Sequence, residues 1–358
     1  MIASLGARGG KTAHQPRRPF RLKRRPEERI RLLGQIMDMV KAEEVMHFVA
    51  NHVAQGKRAI VANHNAHSLY LLKNNPELQA FYDRADLVEV DSRPLLMWAR
   101  MTGRSSRAFH RCTYLDWRDD FWEIAATFGW RVFYLGGAPG VAATAAGNIQ
   151  AARPDVTIAV RDGYFDMTPG SAEAEGVLAE INAFKPDVLM VGMGMPRQEL
   201  WIQRAYDRLH PCVVMPVGAA FDYEAGVQRA APRWMGKAGV EWLFRLVVDP
   251  RRLFHRYCVE PWRLLGLLAD DVVASARQRR EARRPERRRA GAPPPDAPRR
   301  RASDQRGLGP TAAALAETAV MTTDAQVSAL KAIMQQSRCA GPRREPRTPA
   351  APPRAECG

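Results

Sequence analysis

Little in this chain points to metal, disulfide or membrane-spanning chemistry. Its five cysteines, Cys112, Cys212, Cys258, Cys339 and Cys357, show neither CxxC nor Cys/His ligand spacing. That indicates neither a zinc site nor a disulfide framework and suits a reducing, cytoplasmic setting. His64 and His67 are spaced unlike a metal pair on one helix face. No window approaches eighteen uninterrupted apolar residues, so no membrane span is expected. Arg17 and Arg18 are followed by the charged RRPEER where a twin-arginine export signal needs an apolar segment, and export is set aside. No strand leads into a complete GxGxxG with a ribose-binding acid beyond it, which speaks against a dehydrogenase.

Acidic residues are missing altogether from the first 25 positions, and that absence makes the total charge misleading. The formal net charge is +16 over 358 residues. Residues 1–25 carry 8 Lys/Arg, and residues 274–358 carry 18 against 8 Asp/Glu. The middle, 26–273, holds 28 basic and 30 acidic side chains, a net −2. A basic balance confined to the ends argues against a nucleic-acid-binding core, because phosphate recognition needs a folded basic surface or an ordered arm. The tails then either touch anionic lipid or only solvate the protein. The expected organisation is a basic disordered segment (1–25), an α/β core (26–230), a helical appendage (231–273) and a disordered Arg/Pro/Ala-rich tail (274–358) with one weak helix at 324–336.

What the chain does contain is an alternation of short apolar runs and amphipathic stretches. RAIVA (58–62), DLVEV (86–90), RVFYLGG (131–137), VTIAV (156–160), VLMVG (188–192) and CVVMPVG (212–218) read as strands separated by helical patterns. Apolar strands in a β-α-β-α order predict a Rossmann-like parallel sheet with helices on both faces. Ligands in such sheets sit outside the carboxyl ends of the strands, so Asn65, Asp91, Gly136, Gly194 and Gly218 should gather on one rim.

The most informative stretch is VLMVGMGMP at 188–196, running into RQELWIQRAYDRL. It reads as a buried strand, a glycine turn and a helix N-terminus. Such a junction suits an anion, because unpaired helix N–H groups and the helix dipole favour negative charge there. It is equally an ordinary strand end of any parallel sheet. Gly136 and Gly137 in GGAPG read the same two ways. Asp91, a carboxylate at a strand end, suits a base that takes a proton from an attacking hydroxyl, or a plain turn residue. Asn63 and Asn65 suit a polar ligand or a hydrogen-bonded turn. Glu199 reads as a favourable N-terminal charge, and Gln198 as a side chain facing the ligand. Between Trp234 and Arg263, aromatics and leucines alternate with arginines. The pattern fits either a segment lying on a bilayer surface or a helical pair packed on the sheet.

These segments, in this order, resemble the WecG/TagA/CpsF glycosyltransferase family. The likeness rests on N-A-H at 65–67, Asp91, R-x-x-x-x-D from Arg111 to Asp116, FYLGGAPG at 133–140, DGYF at 162–165, VGMGMPRQELW at 191–201, VGAAFDYEAG at 217–226 and APRWMGKAGVEWLFRLVVDPRRLFHRY at 231–257. It covers about residues 30–265.

The resemblance implies inverting transfer of a sugar, N-acetylmannosamine or another hexose, from a UDP-sugar to a polyprenyl-diphosphate-linked saccharide. It implies no cofactor and no metal-binding DxD motif, and a peripheral place on the cytoplasmic face of the membrane; self-association is left open. By matching position, Asp91 looks like the general base, and Asn65 like an amide that positions acceptor or donor. Arg111 looks like an active-site arginine, Gln198 like a ligand contact, and Arg245 and Arg252 like basic residues that reach the diphosphate. Asn63, Ser92, Tyr114 and His255 depart from the family pattern. The first two bear on the choice of sugar, and the last on a third phosphate contact for which Arg256 is adjacent. The competing reading is a non-catalytic nucleotide-binding or membrane-scaffold protein of the same fold, with the tails as its working part.

Overall fold

The computed structural model describes residues 28–228, 235 and 241–289. The basic N-terminal segment, most of 229–240 and the chain from 290 onward, with the helix expected at 324–336, lie outside the described residues.

Six strands form one sheet: β3 (Ala59–His64), β4 (Leu87–Val90), β5 (Arg131–Gly136), β6 (Thr157–Arg161), β7 (Val188–Gly192) and β8 (Val213–Pro216). Their order is β4-β3-β8-β7-β5-β6 and every pairing is parallel. The reason lies in how successive side chains partition. Val132 and Tyr134 of β5, Val188 and Met190 of β7, and Val213 and Met215 of β8 enter one apolar cluster. Phe133 and Leu135, Leu189 and Val191, and Val214 enter a second cluster on the opposite face. Strands apolar at every position must be covered on both sides, which parallel crossover helices accomplish.

The first face is covered by α1 (Ala42–Ala54), α5 (Tyr114–Phe128), α6 (Val141–Ala152) and α9 (Ala220–Glu224). The second is covered by α3 (Pro76–Arg84), α7 (Ala172–Phe184) and α8 (Arg197–Ala205). Tyr134 stacks on Phe221 at 3.5 Å, which fixes α9 against the sheet. The RQELWIQRAYDRL pattern keeps α-helical form only as far as Ala205 and closes with a 3-10 turn.

A third cluster lies beyond the β4 edge. A hairpin of β1 (Arg29–Leu32) and β2 (Gln35–Asp38) packs there with α2 (Ala66–Leu72) and α4 (Arg93–Met101). The hairpin turn places Leu33 at φ 51 and Gly34 at φ 81. Positive φ at both central residues matches the twist of a two-residue hairpin, though leucine is a rare occupant of the first place.

The C-terminal arm comprises α10 (Glu241–Val248), α11 (Pro250–Phe254), a π-type turn at His255–Val259, α12 (Glu260–Arg263) and α13 (Leu265–Arg289). The last helix continues to Arg289, past Val273 where sequence patterning ended the appendage and began disorder. It docks because Leu264 enters the third cluster and Asp271 is clasped. The Asp271 carboxylate accepts from both terminal nitrogens of Arg104 (2.9 and 2.8 Å), from Trp98 Nε1 (2.9 Å) and from the Leu33 amide (3.0 Å). A buried charge with four donors is stably placed, whereas one without them would be costly.

Candidate active site

All six parallel strands end on one cleft of about 510 Å³. Asn63 and Asn65 line it from β3 and the start of α2, Asp91 from β4, and Gly137 and Ala138 from β5. Gly163 and Tyr164 contribute after β6, Gly192 to Met195 after β7, and Val217 to Ala219 after β8. The volume is that of a small-molecule site, and its place is the crevice where open α/β sheets hold ligands.

At the β4 end, Asp91 stands 3.9 Å from Arg111 Nε. Arg111 does not line the cleft itself; a parallel bridge from Val90 to Arg111 and a Cys112 N–H to Val90 carbonyl bond set its loop beside β4. Asp116, the acid of the R-x-x-x-x-D motif, accepts from the Thr113 amide and hydroxyl and so caps α5. Glu89 lies two residues before Asp91 and is 4% exposed. Burial pushes its carboxyl up to about 8, with smaller contributions in the same direction from Asp91 and Asp116 and an opposing one from Cys112 beside it. At neutral pH it is therefore an uncharged acid, and Asp91 meets Arg111 without a second buried negative charge next to it.

Asn65 has two jobs. Its Oδ1 accepts from the Ser68 amide at 3.0 Å and caps α2, and the Ser68 hydroxyl donates back to the Asn65 carbonyl. That leaves its amide nitrogen, 3.9 Å from Met195 Sδ, as the donor directed to the cleft. Asn63 donates to the Pro216 carbonyl (3.2 Å) and joins the ends of β3 and β8. His64, fully buried and pushed down to about 3 by burial, is neutral, bonded to Ser68 and stacked 3.9 Å from Tyr82. It belongs to the scaffold of this turn.

The glycines divide. Gly137 and Gly194 line the cleft. Gly136 does not, and the structure gives it a different job from the cradle expected of it. A Cβ there would collide with the Gly192 carbonyl, and one at Gly192 would collide with the Tyr134 hydroxyl and the Gly218 carbonyl. These two glycines let adjacent strand ends approach, and the lining loops depend on that approach.

Gln198 lines the cleft but is only 1% exposed. Its Oε1 accepts from the Gly194 and Gly218 amides, both at 3.2 Å, and its amide nitrogen donates to Glu199 Oε1 at 2.7 Å. It thereby clamps the loops after β7 and β8 together. Glu199, expected as a favourable N-terminal charge, is a buried acid. It is 0% exposed, and burial raises its carboxyl to about 7.

The arm closes the other side of the cleft with Leu253, Arg256 and Tyr257. Arg245 and Arg252 lie on α10 and α11, but their side chains fall outside the described residues. Sequence reasoning reached Arg256 only as a neighbour of His255 at a third phosphate contact, and did not name Tyr257, Tyr164, Arg197, Asp222, Tyr223 or Gln228, which also line the cleft. The signal for most of them was present, since DGYF, VGMGMPRQELW, VGAAFDYEAG and LFHRY carry them. Among the described residues no group of three or more His, Cys, Asp or Glu is placed to hold a metal ion, and no helix is long and apolar enough to cross a membrane.

A doubly covered parallel sheet, a cleft at its carboxyl ends, and a carboxylate paired with arginine at one end define a ligand-handling α/β protein with the means for acid–base chemistry. The chain belongs to the glycosyl transferase WecG/TagA/CpsF family, whose profile matches residues 30–281. It is 28% identical over 206 residues to the N-acetylglucosaminyldiphosphoundecaprenol N-acetyl-beta-D-mannosaminyltransferase of Staphylococcus aureus strain NCTC 8325 / PS 47, a match covering 55% of this chain and 78% of that enzyme. The protein of the same description from Staphylococcus aureus strain MRSA252 matches to the same extent.

Proposed function

We propose that this chain transfers a sugar from a UDP-sugar to a polyprenyl-diphosphate-linked saccharide during synthesis of a surface polymer, with inversion at the anomeric carbon. The observation that carries the reading is the placement of Asp91 beside Arg111 at one end of a cleft whose other wall brings in Arg256. Inverting transfer needs a carboxylate to take the proton of the attacking acceptor hydroxyl, and positive groups to receive charge on the departing diphosphate. Asp91 is the base. Arg111, 3.9 Å away, faces its carboxylate and orients it.

The Asn65 amide nitrogen positions a hydroxyl or carbonyl of the reacting sugars. The loops after β5 and β7, with Arg256, face the leaving nucleotide, and Arg245 and Arg252 of the same arm join them. No metal is assigned a part. The acceptor's lipid reaches this mouth from a membrane surface, and the arm's exposed Trp242, Phe254 and Trp262 among arginines suit the interface of an anionic bilayer. The protein then works peripherally on the cytoplasmic face. Relatives named for acting on N-acetylglucosaminyldiphosphoundecaprenol support this acceptor class.

The test is to incubate the full chain with a panel of UDP-hexoses and UDP-N-acetylhexosamines and a GlcNAc-diphospholipid acceptor. One donor should give a lengthened lipid and free UDP. Absence of transfer from every donor to a lipid-diphosphate saccharide overturns the proposal.

A further inference from the structure

The arm reaches the cleft through a polar contact that the transfer chemistry does not use. Glu260 opens α12 and is 4% exposed. Its Oε2 lies 2.7 Å from Nδ1 of His67, and its Oε1 lies 3.4 Å from Nδ1 of His255. His67 stands two residues after Asn65, in the first turn of α2, so the contact ties the lining amide at the start of α2 to the segment that carries Leu253, Arg256 and Tyr257. A carboxylate facing Nδ1 makes that nitrogen the one bearing hydrogen, and the ring donates. Tyr70 extends the seam, with its ring 6.5 Å from His67 and 6.2 Å from His255, and the Arg263 guanidinium lies 6.0 Å over the same ring.

We propose that Glu260, hydrogen-bonded to His67, is a positioning residue that latches the C-terminal arm over the cleft and tightens when an anionic diphosphate arrives at Arg256. The inference rests on the proposed function for the identity of that diphosphate, but the latch itself rests on the ligand-free geometry. The groups facing His67 are Glu260, Arg256, His255 and Tyr70. Burial holds the His67 imidazole below its usual range, Arg256 and His255 push it the same way, and Glu260 opposes them. In the free protein the latch is a hydrogen bond from the His67 ring to the Glu260 carboxyl. A diphosphate that touches both the sheet rim and Arg256 favours the closed arm and lessens the repulsion between that guanidinium and His67, so the bond to Glu260 is held more firmly. Binding at one wall therefore strengthens the fastening of the other.

The experiment compares the full chain with E260A and E260Q by calorimetry with UDP, and by trypsin cleavage of the arm at Arg256 with and without UDP. The wild-type arm should be protected, and more so with UDP. E260A should bind UDP about tenfold more weakly and be cut faster at the arm, while its core melts unchanged. E260Q keeps an acceptor for His67 and should recover most of the affinity and protection. An E260A protein with wild-type UDP affinity and arm protection overturns the latch. A wild type that binds no UDP, but whose arm loosens in E260A, retains the latch and overturns the donor reading.

Discussion

The two walls of the cleft are held in different ways. The sheet wall is set by burial: Phe133, Leu135, Val188, Leu189, Met190 and Val191 are all at most 1% exposed, and the rim residues follow wherever those strands end. The arm wall leaves Trp242, Leu243, Val247, Val248, Phe254 and Trp262 at 44% exposure or more, and depends on a few directed polar contacts, at Asp271 and Glu260. A wall made by burial is as stable as the protein. A wall made by point contacts opens separately, which suits the proposed transfer, in which a lipid-linked substrate enters and water is then excluded.

The sharpest way to break this comparison is at Asp271. Replacing it by Ala leaves Arg104 with an uncompensated buried charge, and breaking such a pair costs about 3–5 kcal/mol. The loss should fall on the arm alone, seen as hydrogen exchange opening at the Leu33 amide and along α13 while the core transition stays in place. A single joint transition shifted downward would show that the walls are one unit. At Leu189 the expectation reverses. Leu189→Ala removes a fully buried side chain from the central sheet, about 2–5 kcal/mol, and urea unfolding should lose core and arm together. A change below about 1 kcal/mol would mean that the sheet wall tolerates cavities.

The smallest effect is at Glu199. Its carboxyl is raised from 4.5 to about 7 by burial, so the folded state binds its proton more tightly than the unfolded chain does. The stability it contributes is complete below about pH 4.5 and falls as pH rises through 7, by at most about 3 kcal/mol. Glu199→Gln should flatten that decline in melting temperature. An unchanged slope would place the pH sensitivity elsewhere.

How far the sequence showed this arrangement follows the same division. The strands were legible because both faces of all but the edge strand β6 are buried, and Asp91 and Asn65 were legible because a polar residue directly after such a run must lie on the rim. The parallel sheet therefore came through with strand boundaries shifted by only a few residues. The β1–β2 hairpin was not legible, since its turn uses Leu33 at positive φ in place of the Asn or Gly that marks such turns, and the compensating Leu33–Asp271 bond spans 238 residues. The arm's helical character was visible between Trp234 and Arg263, but not its anchors. His67–Glu260 and Arg104–Asp271 are separated by 193 and 167 residues, and nothing local requires either pairing. Gly136 was misjudged for a related reason: a glycine that lets two strands touch and a glycine that lets a ligand approach read alike in one dimension.

The central claim is that one carboxylate at the β4 end of the rim performs the proton abstraction. Asp91→Asn keeps the shape of the side chain and removes its basicity, so the direct measurement is turnover of a UDP-sugar and lipid-linked acceptor alongside UDP binding for this variant. Transfer should fall by about 10²–10⁴-fold with UDP affinity largely retained. Turnover equal to that of the unmodified chain would contradict the account.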